Sequence, residues 1–527
     1  MTPAGGRGRG RRGGPNAMPN RFETVTGYCW PQSVAPGGEV ALHLSSARGL
    51  PVSVEVARVG GERTVVFRDG AVPADHRPTP DGASAHGCGW PAAMVLRTEP
   101  EWRSGYYEVV LEIDLDGRRR RSHAFFVLRP APGPSDADAL LALSTNTWYA
   151  YNDFGGPSLY TGGTQSALQR PMSPGFLDKP PGHGRRVTTV HTPDPQMAAH
   201  VGYLQLNHLS GWAGSAGWPD WELPFVQWAE RHGYRFDIVA NADLEDHPEL
   251  LEHGGYPLYL SVGHDEYWSA GMRDAVEDHI ARGGNAAFLS GNTAFWQVRL
   301  EDHTPEGPAA TMVGYKGHFQ RDPGYGTDRQ EELTTIWSDV LIGRPENLMT
   351  GVSFTRGGYH RIGKRVTRGA GGYTVHRAGH WLFEGTGLGY GDVLGADAVL
   401  VGYECDGCAF TMRDGLPYPT GEDGTPTNFE ILATAPAAHF TRHRHASPAP
   451  NEPSEIEFIA SRVFGTHEAS DVERIAHGHA VLGTYVSAPA APWSRAAAPT
   501  GPTASPGEIP TSSRSRTTSL RRLGRRA

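Results

Sequence analysis

The stretch from Pro257 to Ser290 constrains the fold more than any other. Pro257–Val262 is a short apolar run, Ala270–Arg282 has helical periodicity and stops at Gly283-Gly284, and Ala286–Ser290 is apolar again. Strand, helix, strand at this spacing predicts a βαβ unit, and two strands joined by a crossover helix lie parallel. Ala139–Ser144 and Arg235–Val239 read as further strands, and Trp221–His232 as an amphipathic helix closed by Gly233. Residues 340–485 hold more strand candidates than helices (Tyr373–His376, Val399–Tyr403, Ala480–Val486) and read as extensions of the same domain. The expectation for residues 135–486 is therefore an α/β domain, a largely parallel sheet with flanking helices.

In front of it, residues 20–131 read as all-β. Val40–Leu44, Val52–Val59, Thr64–Arg68, Tyr106–Ile113 and Arg121–Leu128 are short β-rich runs, broken by turns such as Ala35-Pro36-Gly37-Gly38 and Pro78–Gly82. That spacing predicts an immunoglobulin-like sandwich, joined to the next domain by a Pro-rich linker at Pro130–Pro134. Residues 1–19 are Gly, Arg and Pro with little to bury and read as a disordered tail, with Met18 an alternative start. From residue 487 the chain turns abruptly to Pro, Ala, Ser and Arg, which reads as a disordered or frameshifted tail.

Charge and cysteine content narrow the function classes. A net charge of −9 argues against nucleic acid as main partner. No apolar stretch approaches the ~20 residues of a membrane span, and no secretory signal opens the chain. Four cysteines (Cys29, Cys88, Cys405, Cys408) make a disulfide framework unexpected. The expected compartment is the cytoplasm, with Cys29 and Cys88 as reduced core thiols.

In an open parallel sheet, ligands bind beyond the carboxyl ends of the strands. Those ends lead into Asn146–Asn152, into Gly263-His264-Asp265-Glu266-Tyr267-Trp268, into Gly291-Asn292, and into Glu404. His264 and Glu266 are two apart, so in extended backbone both face one side. An imidazole and a carboxylate with a nearby phenol form a hard N/O donor set, suited to iron. A structural reading competes: His264 as a helix-start hydrogen bonder, and Asp265 or Glu266 as cap of the helix at Ala270. Amidotransferase-like folds carry a nucleophilic Cys at such a turn. Gly263-His264-Asp265 offers no Cys, Ser or Thr, so that chemistry is disfavoured. Cys405-Asp406-Gly407-Cys408 lacks a second pair and reads as two incidental thiols. The glycine pairs form no G-x-G-x-x-G fingerprint, so no nucleotide cofactor is implied. Trp148, Tyr151, Tyr267, Trp268 and Trp296 line a small apolar pocket or fill core, with Trp148 and Trp296 favouring core. Asp302–Asp328 has no readable pattern.

At these residues the chain resembles the large (beta) subunit family of N,N-dimethylformamidase. The resemblance runs over roughly residues 137–485. It is carried by Thr147-Trp148-Tyr149-Ala150-Tyr151-Asn152, Gly155-Gly156-Pro157-Ser158-Leu159-Tyr160, Gly263–Ser269, Gly283-Gly284-Asn285, Ser290-Gly291-Asn292, Phe295–Arg299 and Gly402-Tyr403-Glu404. It implies the amidotransferase-like form of the α/β expectation and a mononuclear iron, ferric in state, held by a Tyr, a His and a Glu. Those fall on Tyr151 (with Tyr149 as competitor), His264 and Glu266. It also places Asn292 and Glu404 beside the metal. The implied reaction is metal-assisted hydrolysis of the C–N bond of a small amide, with Asn292 donating to the oxyanion and Glu404 as general base. A small subunit or a second copy of the chain is the implied partner. Relatives continue past Gly483-Thr484-Tyr485 with another strand and a Thr-, Asp- and Trp-bearing segment, where this chain enters its tail. Two readings compete with the amidase: a non-catalytic binding protein on a degenerate member of the fold, and oxygen activation at the same metal.

Overall fold

The computed structural model describes residues 24–179, 204, 209–303, 307–360, 370–440 and 454–487. The tail read at residues 1–19 lies outside them, as does all but Ser487 of the tail read from residue 487.

The first hundred described residues form two sheets over one core. One is antiparallel, with β1 (Val25–Trp30), β3 (Glu39–Ser46) and β6 (Ala92–Arg97) in the order β1-β3-β6. The other contains β2 (Ser33–Val34), β4 (Val52–Val59), β5 (Arg63–Val72), β7 (Gly105–Leu115) and β8 (Arg118–Leu128), in the order β2-β8-β7-β4-β5. Alternation decides what faces inward. Val52, Val54 and Val56 of β4 meet Val40, Leu42 and Leu44 of β3, while Ser53 points to solvent. The second sheet is covered on its other face too. Tyr106, Phe125 and Val127 belong to the core of the following domain, so the last five residues of β8 are all buried.

That following domain is built around a four-stranded parallel sheet. β9 (Ala139–Leu143), β11 (Phe236–Ala240), β12 (Leu258–His264) and β14 (Asn285–Gly291) lie in the order β11-β9-β12-β14. β9 is five apolar residues, all fully buried, as a strand covered on both faces requires. Helix Ala270–Ala281 makes the crossover from β12 to β14. Its cap is Ser269, whose hydroxyl accepts from the Met272 N–H at 3.3 Å, so neither Asp265 nor Glu266 serves that purpose.

The expectation of a largely parallel, amidotransferase-like α/β fold is overturned. The described residues are 35% strand and 19% helix, and their sheets are mostly antiparallel or mixed. Beside the parallel sheet runs a mixed one, β10 (Gln165–Ala167), β16 (Thr311–Val313), β15 (Trp296–Glu301) and β13 (Tyr267–Ser269), in which β13 and β15 alone are parallel. Residues 340–485 do not extend the parallel sheet. They build an antiparallel one from β17 (Ser353–Tyr359), β18 (Tyr373–Val375), β19 (Val393–Leu394), β20 (Glu404–Gly407), β23 (Glu430–Ala438) and β24 (His477–Thr484). A separate hairpin joins β21 (Phe410–Arg413) to β22 (Leu416–Pro419). Val399–Tyr403 is turn and bend rather than strand, and Glu404 opens β20 instead of following a strand. The reason is physical: apolar runs and β-branched residues specify extended backbone, while strand direction and partner are set by contacts distant in sequence.

Candidate functional site

Local backbone delivers the phenols. The helix Thr145–Tyr151 leaves β9 directly and is buried along its whole length. Its last residue presents Tyr151. The chain then turns through Gly155-Gly156, and the Leu159 N–H donates to the Ala150 carbonyl at 3.1 Å. This returns Tyr160 to the side of Tyr151, with the rings stacked at 4.2 Å.

The β12 end supplies the other groups. Gly263 has φ 95°, and a Cβ there would stand 2.5 Å from the Trp221 Cβ, so only glycine fits. Asp265 points away and braces the loop. Its carboxylate accepts from Ser261 at 2.8 Å and Asn241 at 3.3 Å, and its carbonyl accepts from Ala294 and Trp268. Glu266 is turned inward, its N–H held by Thr147 Oγ1 at 2.9 Å.

Glu266 is the hub. Its carboxylate accepts from Tyr151 at 3.0 Å, from Tyr160 at 2.6 and 2.8 Å, and from Trp296 Nε1 at 2.9 Å. The two phenol oxygens are 2.8 Å apart. His264 Nε2 lies 3.4 Å from Glu266 Oε2 and 2.9 Å from Glu404 Oε2, and its Nδ1 is held by the Ser215 carbonyl at 2.8 Å. That carbonyl accepts a hydrogen bond from Nδ1–H and so directs Nε2 into the cluster. His264 Nε2 and Glu404 Oε2 are buried, and their close ionic contact is off the hydrogen-bond line.

Lys316 completes the electrostatics. Its ammonium donates to the Tyr267 hydroxyl at 2.8 Å and stands 3.4 Å from the Tyr160 ring centroid and 4.8 Å from that of Trp296. Burial holds the Glu266 carboxyl above its ordinary range, offset in part by His264. Burial by itself would lower His264, but the Glu404 and Glu266 carboxylates outweigh it and raise the imidazole to about 9. Burial pushes Lys316 down to about 8 against the pull of the same two carboxylates. Tyr151 and Tyr160 are pushed well above the ordinary phenol value by burial and then by Glu266.

Asn292 sits where β14 ends, in a left-handed conformation at φ 53°. Asp406 of β20 fixes it, accepting from the N–H groups of Asn292 and Thr293 at 2.9 and 3.0 Å. Its side-chain oxygen is buried without a partner among the described residues. Gly291 packs against β20 so closely that a Cβ would stand 2.5 Å from the Glu404 carbonyl oxygen.

Tyr151, His264, Glu266 and Glu404 thus meet in one cluster. Tyr149 does not join it: its ring lies under Arg170, and its carbonyl accepts from Ser166 and Arg170. Sequence reasoning assigned no role to Tyr160 or Lys316. Tyr160 stands in a glycine-bounded motif segment, a signal that was available; Lys316 stands in patternless sequence and had none. Cys405 and Cys408 are buried free thiols.

The donor chemistry fits a small hard cation. Bonds of about 2.0–2.2 Å from a cation to N or O ligands place neighbouring ligand atoms roughly 3 Å apart. The oxygens of Tyr151, Tyr160 and Glu266 are 2.6–3.0 Å apart. Among the described residues, no group of three or more His, Cys, Asp and Glu side chains is arranged to hold a metal ion, so such a site depends on its phenols.

The N,N-dimethylformamidase beta subunit of Alcaligenes sp is 33% identical over 90 residues, and that of Paracoccus aminophilus is 32% identical over 90 residues. Each match covers 16% of this chain and 12% of the relative's length. A crystal structure of murine CEACAM1b aligns with 23% of this chain and 62% of its own at 14% identity and a TM-score of 0.12, too low to bear on the fold. The family model described as N,N-dimethylformamidase beta subunit-like, C-terminal, matches residues 53–476, and the chain belongs to that family.

Proposed function

We propose that this protein is an iron-dependent hydrolase that cleaves the C–N bond of a small amide with water. One observation carries the reading: phenol oxygens of Tyr151 and Tyr160 converge on Glu266 within 3.0 Å, in a buried site flanked by His264 and Glu404. Tyr151, His264 and Glu266 would hold the iron, with the Tyr160 phenol beside them. The Ser215 carbonyl engages His264 Nδ1 and leaves Nε2 facing the cluster.

Ferric iron, when bound, supplies a Lewis acid for the amide carbonyl or the attacking water. The chain's own residues supply the rest. Glu404 Oε2, without a hydrogen-bond partner, takes a proton from the water. Glu404 then passes that proton to the leaving nitrogen, and His264 Nε2, 2.9 Å away, keeps the carboxylate in place. Asn292 donates its side-chain N–H to the developing oxyanion. Lys316 lies against the Tyr160 ring and favours negative charge on its oxygen. Trp212, Trp221 and Tyr403, with ring centroids 5.3–6.2 Å from those of Tyr160 or His264, keep bulk water away.

The name of the relatives, a beta subunit, supports a second chain as partner, either a smaller subunit or another copy. No helix among the described residues is long and apolar enough to cross a membrane.

The test is metal analysis and visible absorption of the purified protein, followed by hydrolysis assays on N,N-dimethylformamide and other small amides. Near-stoichiometric iron with a phenolate-to-iron band is expected, with the iron lost in His264→Ala and Glu266→Gln and the band lost in Tyr151→Phe. A protein that takes up no iron on reconstitution, or iron-loaded protein that hydrolyses no small amide, would sink the reading.

A further inference from the structure

The geometry points to Arg170 as the residue that positions Tyr151 for the metal; this rests on the iron reading above. Arg170 lies outside the cluster, in the segment after β10, and is 1% exposed. A buried guanidinium ordinarily faces a carboxylate, yet Arg170 forms no ion pair with a described acidic residue. Its N–H groups go to backbone and one hydroxyl instead. Nε donates to the Ala167 carbonyl at 2.9 Å and Nη1 to the Phe154 carbonyl at 2.9 Å. Nη2 donates to the carbonyls of Tyr149 at 3.3 Å and Asn152 at 3.1 Å, and to Ser166 Oγ at 2.9 Å.

Three of these carbonyls, those of Tyr149, Asn152 and Phe154, come from the chain on either side of Tyr151. The Tyr149 carbonyl lies in the last turn of the helix Thr145–Tyr151, where partial negative charge gathers, and those of Asn152 and Phe154 lie just past it. The guanidinium therefore ties the helix end to the turn that follows it. Asn152 adds to this. Its side chain accepts from the N–H groups of Phe154 and Ser173 and donates to the Pro171 carbonyl. The turn that aims the Tyr151 phenol at Glu266 is thus held from outside the site by a planar fork, which a lysine cannot reproduce.

The test uses the full chain loaded with iron, comparing wild type, Arg170→Lys and Arg170→Ala by competition with a chelator and by the phenolate-to-iron absorption band. Val56→Ala, in the core of the N-terminal sheets, is the control for general destabilisation. Loss of a residue that orients a metal ligand costs about 10–100-fold in metal affinity. That loss is expected for both Arg170 variants, with a shifted or weakened band, and low millimolar guanidinium is expected to restore the band in Arg170→Ala. Wild-type iron affinity and band in folded Arg170→Lys would overturn the proposal. So would a loss of iron no greater than that of Val56→Ala at equal loss of thermal stability. Absence of a band in the wild type would instead refute the iron reading itself.

Discussion

Glu266 shows how much single residues carry here, and how far local sequence exposes it. The i, i+2 spacing of His264 and Glu266 was legible because extended backbone puts both on one side. Nothing local gives Tyr160 a role, since its approach to Glu266 depends on a turn through Gly155-Gly156. Elsewhere the interior holds polar atoms that stabilise nothing. The Tyr106 hydroxyl is buried without a partner among the described residues. Tyr106→Phe is expected to raise the unfolding free energy by about 1 kcal/mol, read from the urea midpoint at unchanged slope. Glu346 behaves oppositely with pH. Burial raises its carboxyl to about 8, with Ser338 donating to one oxygen while the other has no partner. An unfolded glutamate titrates near 4.3, so between about 4.3 and 8 the folded state holds more protons and stability falls as pH rises. Glu346→Gln is expected to flatten that part of the stability–pH curve; an unchanged slope in urea titrations from pH 5 to 8 would refute the assignment.

At the scale of elements, the site is a meeting of strand ends from different sheets. β12 brings His264, β14 brings Asn292, and β20, from the antiparallel sheet, brings Glu404. The register of β20 against β17 (Tyr359 opposite Glu404) decides which residue faces His264. The contact of β14 with β20 depends on Gly291. In Gly291→Ala the new methyl meets the Glu404 carbonyl oxygen, and backbone must move. Overpacking of this kind costs about 1–3 kcal/mol. On the proposed reading the variant loses that much stability and most of its amide hydrolysis while retaining iron, since Tyr151, His264 and Glu266 are not on β14 or β20. Iron loss equal to the activity loss would contradict this division of roles.

For the whole molecule, the N-terminal sheets and the following domain share structure. Tyr106 stacks on Trp218 at 4.2 Å, and Phe125 lies 5.4 Å from Trp148 on the helix that carries Tyr151. Across the same boundary Arg58 pairs with Glu230 at 2.5 and 3.2 Å, and the Gly61 N–H adds a bond at 2.7 Å. Both side chains of this pair are about nine-tenths buried. Glu230→Ala leaves the guanidinium buried and unpaired, and is expected to cost about 3–5 kcal/mol. Glu230→Ala with Arg58→Met should recover part of it. Because the core is continuous across the boundary, unfolding is expected as one transition, with tryptophan fluorescence and far-ultraviolet circular dichroism coincident. Two separated transitions would show the layers to be independent.

The sequence by itself determined where backbone is extended or helical. β9, β11, β12 and β14 and the helices at 222–231 and 270–281 lie within a few residues of the readings made from apolar periodicity and glycine stops. It also determined which chemical groups were available, because His264, Glu266, Asn292 and Glu404 stand at breaks in those patterns. Tertiary structure alone decided how the strands pair, and with it the mostly β character that replaced the expected parallel fold, since pairing joins residues far apart in sequence. It likewise decided that Tyr151 rather than Tyr149 faces Glu266, and that Tyr160, Lys316 and Arg170 matter. A helix shows each side chain a different environment, and which environment holds a carboxylate is known only once the distant strand carrying it has packed.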